Sequence, residues 1–239
     1  MLDLRFGAAT DVGLVRARNE DSMLLEPPVF VVADGMGGHA HGEIASALVV
    51  SGLRHLVGRK ELTVDEATAA VELLNGTIQE ASLEMPAVRG MGTTAVGLIA
   101  VQHEGSPHWL AFNVGDSRLY RWVDGVLEQL SVDHSVVQEL LDRGEITRAE
   151  VSTHPQRSVI TRVLGTAGSA TADYWLLPVS AGVRFLLCSD GLTTELGPPR
   201  IATVLAEHDD PKEAADALVA AALRAGGRDN VTAIVIDAS

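Results

Sequence analysis

The chain has 239 residues, 46% of them hydrophobic, which is enough to fill a sizeable core and suits one domain over residues 1–239. Eighteen Lys and Arg stand against 32 Asp and Glu, a formal charge of -14, the wrong sign for a chain that must neutralise nucleic-acid phosphates. No apolar run approaches the ~20 residues of a membrane span, Arg5 interrupts any signal-like start, and the lone Cys188 permits no internal disulfide, so a cytoplasmic, monomeric chain without a membrane anchor is expected.

In chain order, the apolar, β-branched run Val29–Ala33 predicts a strand, and two helical stretches follow, Glu43–Val57 and Val64–Leu83, each with Ala, Leu and Val on one face. Strands are predicted next over Thr93–Val101, Trp109–Val114 and Leu119–Val123, the last ending in the turn pair Asp124-Gly125. A helix over His134–Arg143, a strand over Val183–Cys188, a helix over Lys212–Ala225 and a strand over Val231–Ile236 complete the pattern. Pro198-Pro199 and Asp209-Asp210-Pro211 read as helix starts and turns. Two helices in succession, and strands clustered with strands, argue against a regular alternation of strand and helix. The class predicted is α+β, with antiparallel sheets and helices layered on their faces. Cys188, inside a strand, is expected to be a small core hydrophobe.

Aspartates mark the strand ends. Asp34 follows Val29–Ala33, Asp116 follows Trp109–Val114 after Gly115, Asp190 follows the strand ending at Cys188 after Ser189, and Asp229 stands just before Val231–Ile236. If those sheet edges converge, four carboxylates meet. Like charges at one place need protons or cations to offset them, and hard oxygen ligands without nearby Cys or paired His select Mg²⁺ or Mn²⁺ over zinc. Three of the four stand beside glycine, where the backbone can turn sharply or approach an ion.

The ordered segments Gly13-Leu14-Val15-Arg16 through Asn19-Glu20-Asp21, Val32-Ala33-Asp34-Gly35-Met36-Gly37-Gly38-His39, Met91-Gly92-Thr93-Thr94 and Asn113-Val114-Gly115-Asp116-Ser117-Arg118 are followed by Asp133-His134, His154-Pro155-Gln156-Arg157-Ser158, Ser189-Asp190-Gly191-Leu192 and Gly227-Arg228-Asp229-Asn230-Val231-Thr232. Together they resemble the metal-dependent type 2C (PPM) protein serine/threonine phosphatases of bacterial type. The resemblance implies a four-layer α-β-β-α sandwich with a binuclear metal site at one edge of two central antiparallel sheets. It implies that Asp34 bridges two Mn²⁺ or Mg²⁺ ions, that Gly35 offers its carbonyl to one, and that Asp190 and Asp229 hold the other. Asp116 matches the ligand of a weaker third ion, and Ser158 lies in a flap segment beside it. Arg16 matches the arginine that binds the substrate phosphate, and Glu20 and Asp21 fit positions that orient metal-bound water. The implied substrates are phosphorylated proteins, the products of a serine/threonine kinase.

Two departures qualify that reading. Met36 stands where animal members carry a histidine proposed as general acid, and a thioether cannot donate that proton; His39, His41, His134 and His154 are the histidines near site-like segments. Thr193-Thr194 also differs from the usual continuation after Asp190-Gly191-Leu192. Cys188 has no arginine in the following Ser189–Thr194 to cradle a phosphate, and no Gly-rich loop ends in Gly-Lys-Ser/Thr, so thiol-phosphatase and NTPase readings fail. The alternatives left open are a non-catalytic phosphoprotein-binding relative and a phosphatase dedicated to one signalling phosphoprotein.

Overall fold

Val29, Val31 and Ala33 pack to one side of their strand and Phe30 and Val32 to the other, and all five are fully buried. A strand covered on both faces belongs in an inner layer. The computed structural model, which describes residues 4–37, 41–84, 88–166 and 170–238, supplies the layers that cover it. The strands are β1 (Leu4–Asp11), β2 (Asp21–Glu26), β3 (Val29–Met36), β4 (Gly92–Thr93), β5 (Ala95–His103), β6 (Ser106–Val114), β7 (Arg118–Val123), β8 (Val126–Gln129), β9 (Asp173–Pro178), β10 (Val183–Cys188) and β11 (Val231–Ala238). The helices are α1 (Gly42–Leu53), α2 (Val64–Glu84), α3 (Val136–Asp142), α4 (Arg148–Val151), α5 (Asp190–Glu195), α6 (Pro198–Glu207) and α7 (Pro211–Ala225).

One sheet has the order β1-β11-β10-β7-β8 and the other β2-β3-β5-β6-β9, all antiparallel, with β4 pairing the end of β3. Between the sheets, Phe30, Val32, Leu98 and Trp109 meet Leu119, Phe185, Leu187 and Ile234. Phe6, Phe30, Trp109 and Phe185 form an edge-to-face chain with ring centroids 5.3, 6.2 and 6.0 Å apart in turn. Outside, α1 and α2 bury Val49, Leu53, Leu74 and Ile78 against one sheet. On the far side α6 and α7 bury Ile201, Leu205, Leu218 and Ala222 against the other. This is the four-layer α-β-β-α sandwich expected. Cys188 is fully buried in the second of those outer cores, and burial pushes its thiol up to about 12. Among the described residues no helix is long and apolar enough to cross a membrane.

Several boundaries differ from expectation. The strand expected over Thr93–Val101 is broken at Thr94, and β3 runs past Asp34 to Met36 instead of ending at Ala33. The first helix ends at Leu53 and tightens into a 3-10 turn over Arg54–Leu56. The helix expected from His134 starts at Val136, where the Ser135 hydroxyl accepts from the Gln138 N–H. The Asp124-Gly125 turn is as expected, both residues taking positive φ, 50° and 79°, as a tight hairpin requires.

Arg184 on β10 fastens the second helical layer. Its guanidinium donates to both Asp237 oxygens at 2.6 and 2.9 Å and to the carbonyls of Leu205, His208 and Asp209, at the end of α6. Replacing it by Met would leave a carboxylate and three carbonyls short of a donor. Arg184→Met is expected to cost about 2 kcal/mol, a fall in Tm of roughly 4–8 °C in thermal denaturation, with Arg184→Lys recovering only part. A Tm unchanged in the Met variant would show that water replaces those bonds.

Candidate metal centre

Asp34 lies where β3 changes partner. Val32 still faces Val96 of β5, while Gly35 faces Thr93 of β4. Thr94, between the two partner strands, grips the Asp34 peptide instead of continuing the ladder. The Thr94 N–H and the Thr93 hydroxyl both donate to the Asp34 carbonyl at 2.9 Å, and the Thr94 hydroxyl accepts from the Asp34 N–H at 3.1 Å. Both threonines are fully buried beneath the site. Gly35 is enclosed: a Cβ there would stand 2.3 Å from the Gly42 carbonyl oxygen and 2.5 Å from that of Glu20, so no side chain fits.

Asp190 opens α5 just after β10, and Asp229 precedes β11, so both come from the sheet opposite Asp34. Asp116 sits in the loop by which β6 of one sheet passes to β7 of the other. All four aspartates line one cleft of about 690 Å³ with Arg16, Glu20, Gly35 and Ser158. The sheet edges therefore converge, the condition on which the four aspartates meet.

Arg16 Nη2 donates to Asp229 Oδ2 at 2.6 Å, whereas Arg18 pairs with Glu43 at 3.3 Å. Asp21, directly opposite Asp34 on β2, lies deeper. Its Oδ2 accepts from the hydroxyls of Ser189 at 2.8 Å and Thr232 at 2.6 Å, and its Oδ1 is buried without a hydrogen-bond partner. Glu20 lines the cleft, and its carbonyl accepts from the Gly35 N–H and the Ser46 hydroxyl. His41 also lines the cleft, with Nδ1 3.0 Å from Glu43 Oε1, while His154 is engaged locally with the Gln156 N–H. Gly38 and His39 lie outside the described residues.

Other residues organise this site without having been assigned a part in it. Asn230 accepts from the Glu20 N–H and donates to the Val12 and Arg18 carbonyls, tying the Arg16 loop to the strand that follows Asp229. Its place in Arg228-Asp229-Asn230 was the available signal. His134, read only as one histidine near a site-like segment, is buried at 4% exposure, and burial lowers its pKa, which favours the neutral ring.

The electrostatics show what the cleft favours. Burial, reinforced by Asp21, Asp190, Asp116 and Asp229, holds the Asp34 carboxyl well above the usual range. Burial and then Asp190 push Asp116 up to about 8, and burial lifts Asp21 to about 6 against the hydrogen bonds from Thr232 and Ser189. Asp190 is raised by burial and by Asp229, and lies within hydrogen-bonding reach of Asp34. Such a group binds protons or cations. Among the described residues no three His, Cys, Asp or Glu side chains form a cage for one ion by themselves. Hard divalent cations fit this arrangement because they complete an oxygen shell with backbone carbonyls and water. Asp116 Oδ1 is buried without a hydrogen-bond partner, an oxygen able to ligate such a cation.

A stability prediction follows from the signs. Carboxyls raised in the folded chain bind more protons there than unfolded, so ionising them opposes folding as pH climbs from about 4 through their folded pKa values. Between pH 6.5 and 8 Asp116, held up to about 8, is still giving up its proton, and this outweighs the smaller, opposite contribution of His134, whose pKa burial lowers. EDTA-treated protein is therefore expected to lose on the order of 2 kcal/mol, a few °C in Tm, from pH 6.5 to 8, and saturating Mn²⁺ to remove the slope. A chelated protein that melts higher at pH 8 would contradict the cluster.

Known proteins share this fold. The family model described as protein phosphatase 2C matches residues 17–225. Serine/threonine protein phosphatase PstP of Mycobacterium tuberculosis is 43% identical over 239 residues, 99% of this chain. The chain spans about half the length of that relative, 45%. Serine/threonine phosphatase stp of Listeria monocytogenes is 36% identical over 241 residues, covering 95% of this chain and 93% of its own. The crystal structure of the catalytic domain of PstP in complex with two manganese ions superposes with a TM-score of 0.87 at 38% identity, covering all of this chain and 99% of that one. A sandwich that places four aspartates at one edge, a family model across most of the chain and relatives over its full length converge on one assignment: the chain belongs to the protein phosphatase 2C family.

Proposed function

We propose that the chain hydrolyses phosphoserine and phosphothreonine in proteins with the help of divalent metal ions. The observation that carries this reading is the convergence of Asp34, Asp116, Asp190 and Asp229 with Arg16 on one cleft. Asp34 and the Gly35 carbonyl would hold one ion, Asp34 with Asp190 and Asp229 a second, and Asp116 a weaker third. Mn²⁺ is supported by the relative solved with two manganese ions, and the all-oxygen donor set suits Mg²⁺ equally. Divalent cations bound here supply Lewis-acid charge that acidifies water and offsets charge on phosphoryl oxygens.

The chain's own groups do the rest. Arg16, whose side chain is 56% exposed, can exchange Asp229 for a phosphoryl group and hold it through its fork of donors. Glu20 at the rim and Asp21 below keep acceptors fixed around the reacting water. Met36 lines the cleft and holds no transferable proton.

Residues 1–239 are taken as one phosphatase domain, a reading supported by the Listeria relative, which matches over nearly its whole length. Phosphoproteins made by a serine/threonine kinase are the proposed partners, the chain acting as a monomer in cytoplasmic signalling. The full set of aspartates argues against a non-catalytic binder. The test is hydrolysis of a phosphothreonine peptide with Mn²⁺: release of phosphate is expected, and none from any generic phosphopeptide or phosphoprotein, with Mn²⁺ bound, would overturn the reading. Slow turnover of peptides beside fast turnover of one phosphoprotein would identify a dedicated enzyme.

A further inference from the structure

Asp116 carries its carboxylate on a short loop, and both flanks of that loop are tethered. On one side the Ser117 hydroxyl lies 2.7 Å from that of Thr94, the residue that also grips the Asp34 peptide. On the other side Gly115 adopts φ +105°, where a Cβ would meet the Thr94 side chain at 2.5 Å. The polar groups of Gly115 are both bound by one residue. Its N–H donates to His134 Nδ1 at 3.0 Å, and its carbonyl accepts from the His134 N–H at 2.9 Å and from Asn113 Nδ2 at 3.0 Å.

The hydrogen bond fixes the tautomer. Nδ1 accepts, so the ring proton is on Nε2, which stands 3.2 Å from Asp173 Oδ2. Arg162 Nη1 cannot donate to a protonated Nε2, and instead donates to Asp173 Oδ1 at 2.7 Å. The ring is therefore held from behind by a carboxylate that is itself held. A ring that only filled space would need no such pairing, whereas one that aims a neighbouring loop does.

We propose that His134 is a positioning residue for the phosphatase reaction, setting the direction of the Asp116 carboxylate through the Gly115 amide. It rests on the function proposed above, and it assigns the acceptor Nδ1, not proton transfer, as the working atom.

Two substitutions separate the ring's two ends. His134→Asn keeps an acceptor where Nδ1 stands but lacks the far N–H, and His134→Gln keeps a donor near Nε2 but lacks that acceptor. Each is made in the parent and in Asp116→Ala, with kcat and KM measured on a phosphothreonine peptide and Mn²⁺ binding measured by calorimetric titration. In the parent, His134→Gln is expected to lower kcat by about 10- to 10²-fold, with KM within about 2-fold, and to weaken the weakest Mn²⁺ step. His134→Asn should stay within about 3-fold, and in Asp116→Ala the Gln substitution should add less than about 2-fold.

Asn and Gln variants that fall together, or both hold, overturn the proposal, as does a Gln effect that persists without Asp116. Should either variant fail to fold, Asp173→Ala, which loosens the tautomer, is read on the same two backgrounds: a kcat loss that vanishes with Asp116 supports the proposal, and any other pattern overturns it. If the parent has no Mn²⁺-dependent turnover, the function proposed above fails by itself. The calorimetric order then decides: Mn²⁺ affinity lower for Gln than for Asn supports the proposal, and equal affinities overturn it.

Discussion

Asp190→Asn and Asp229→Asn are each expected to lower turnover of a phosphothreonine peptide by at least about 10²-fold, and chelation of the parent by EDTA to reach the same floor. Each substitution removes one ligand charge from the cluster. The fold should survive, because burial and then Asp229 make Asp190 costly to ionise in the bare chain. The variants should therefore melt at or above the parent in EDTA and gain less than the parent from added Mn²⁺. Normal turnover by Asp190→Asn at limiting Mn²⁺ would remove that residue from the site.

Arg16→Ala is expected to reduce kcat/KM by roughly 30- to 10³-fold, about 2–4 kcal/mol, chiefly through KM. A contact made equally in ground and transition states raises KM alone, and one that tightens as charge develops lowers kcat too. Arg16 also neutralises Asp229 in this structure, at 2.6 Å, so its removal leaves that carboxylate free for a cation and Mn²⁺ affinity should not fall. Arg16→Lys should recover only part, since an ammonium lacks the planar fork. Arg18→Ala, which breaks only the exposed pair with Glu43, should stay near the parent. If Arg18→Ala is the one that loses activity, the phosphate-binding arginine has been misassigned.

The strands legible in the sequence were β3, β5, β6, β7, β10 and β11, and every one lies inside its sheet. Those overlooked, apart from the two-residue β4, were β1, β8, β2 and β9, which are the four sheet edges. Interior strands here are largely covered on both faces, so they read as mainly apolar runs, interrupted only by residues such as Arg121 and Arg184. Edge strands present residues such as Arg5, Asp21, Glu128 and Asp173 toward water or the site, and the signal is diluted. The aspartates were legible for the same reason, since each stands where an interior run stops or starts. The supporting bonds were not: Asn230, Thr94 and His134 act through hydrogen bonds to backbone atoms distant in sequence, and although Thr93 and Thr94 read as residues packed beneath the site, nothing in a residue's type announces such a partner. The exchange of partners along β3 was hidden likewise, because Thr93 and Thr94 continue a β-branched run straight through the break.

Asp34 belongs to one sheet and Asp190 and Asp229 to the other, with Asp116 at the crossing between them. Neither half of the chain contains the site, and neither could assemble it from local contacts. The carboxylates of the two sheets are within reach of one another because the sheets pack face to face, Trp109 of one against Phe185 of the other. The cluster's mutual repulsion therefore acts across the interface between the sheets, where it favours opening, and a cation shared across the seam would act as a clasp. A chain whose two sheets stand apart would then lack the metal site that the proposed hydrolysis needs, so that competence would depend on the packing of the two sheets as well as on the ligands themselves.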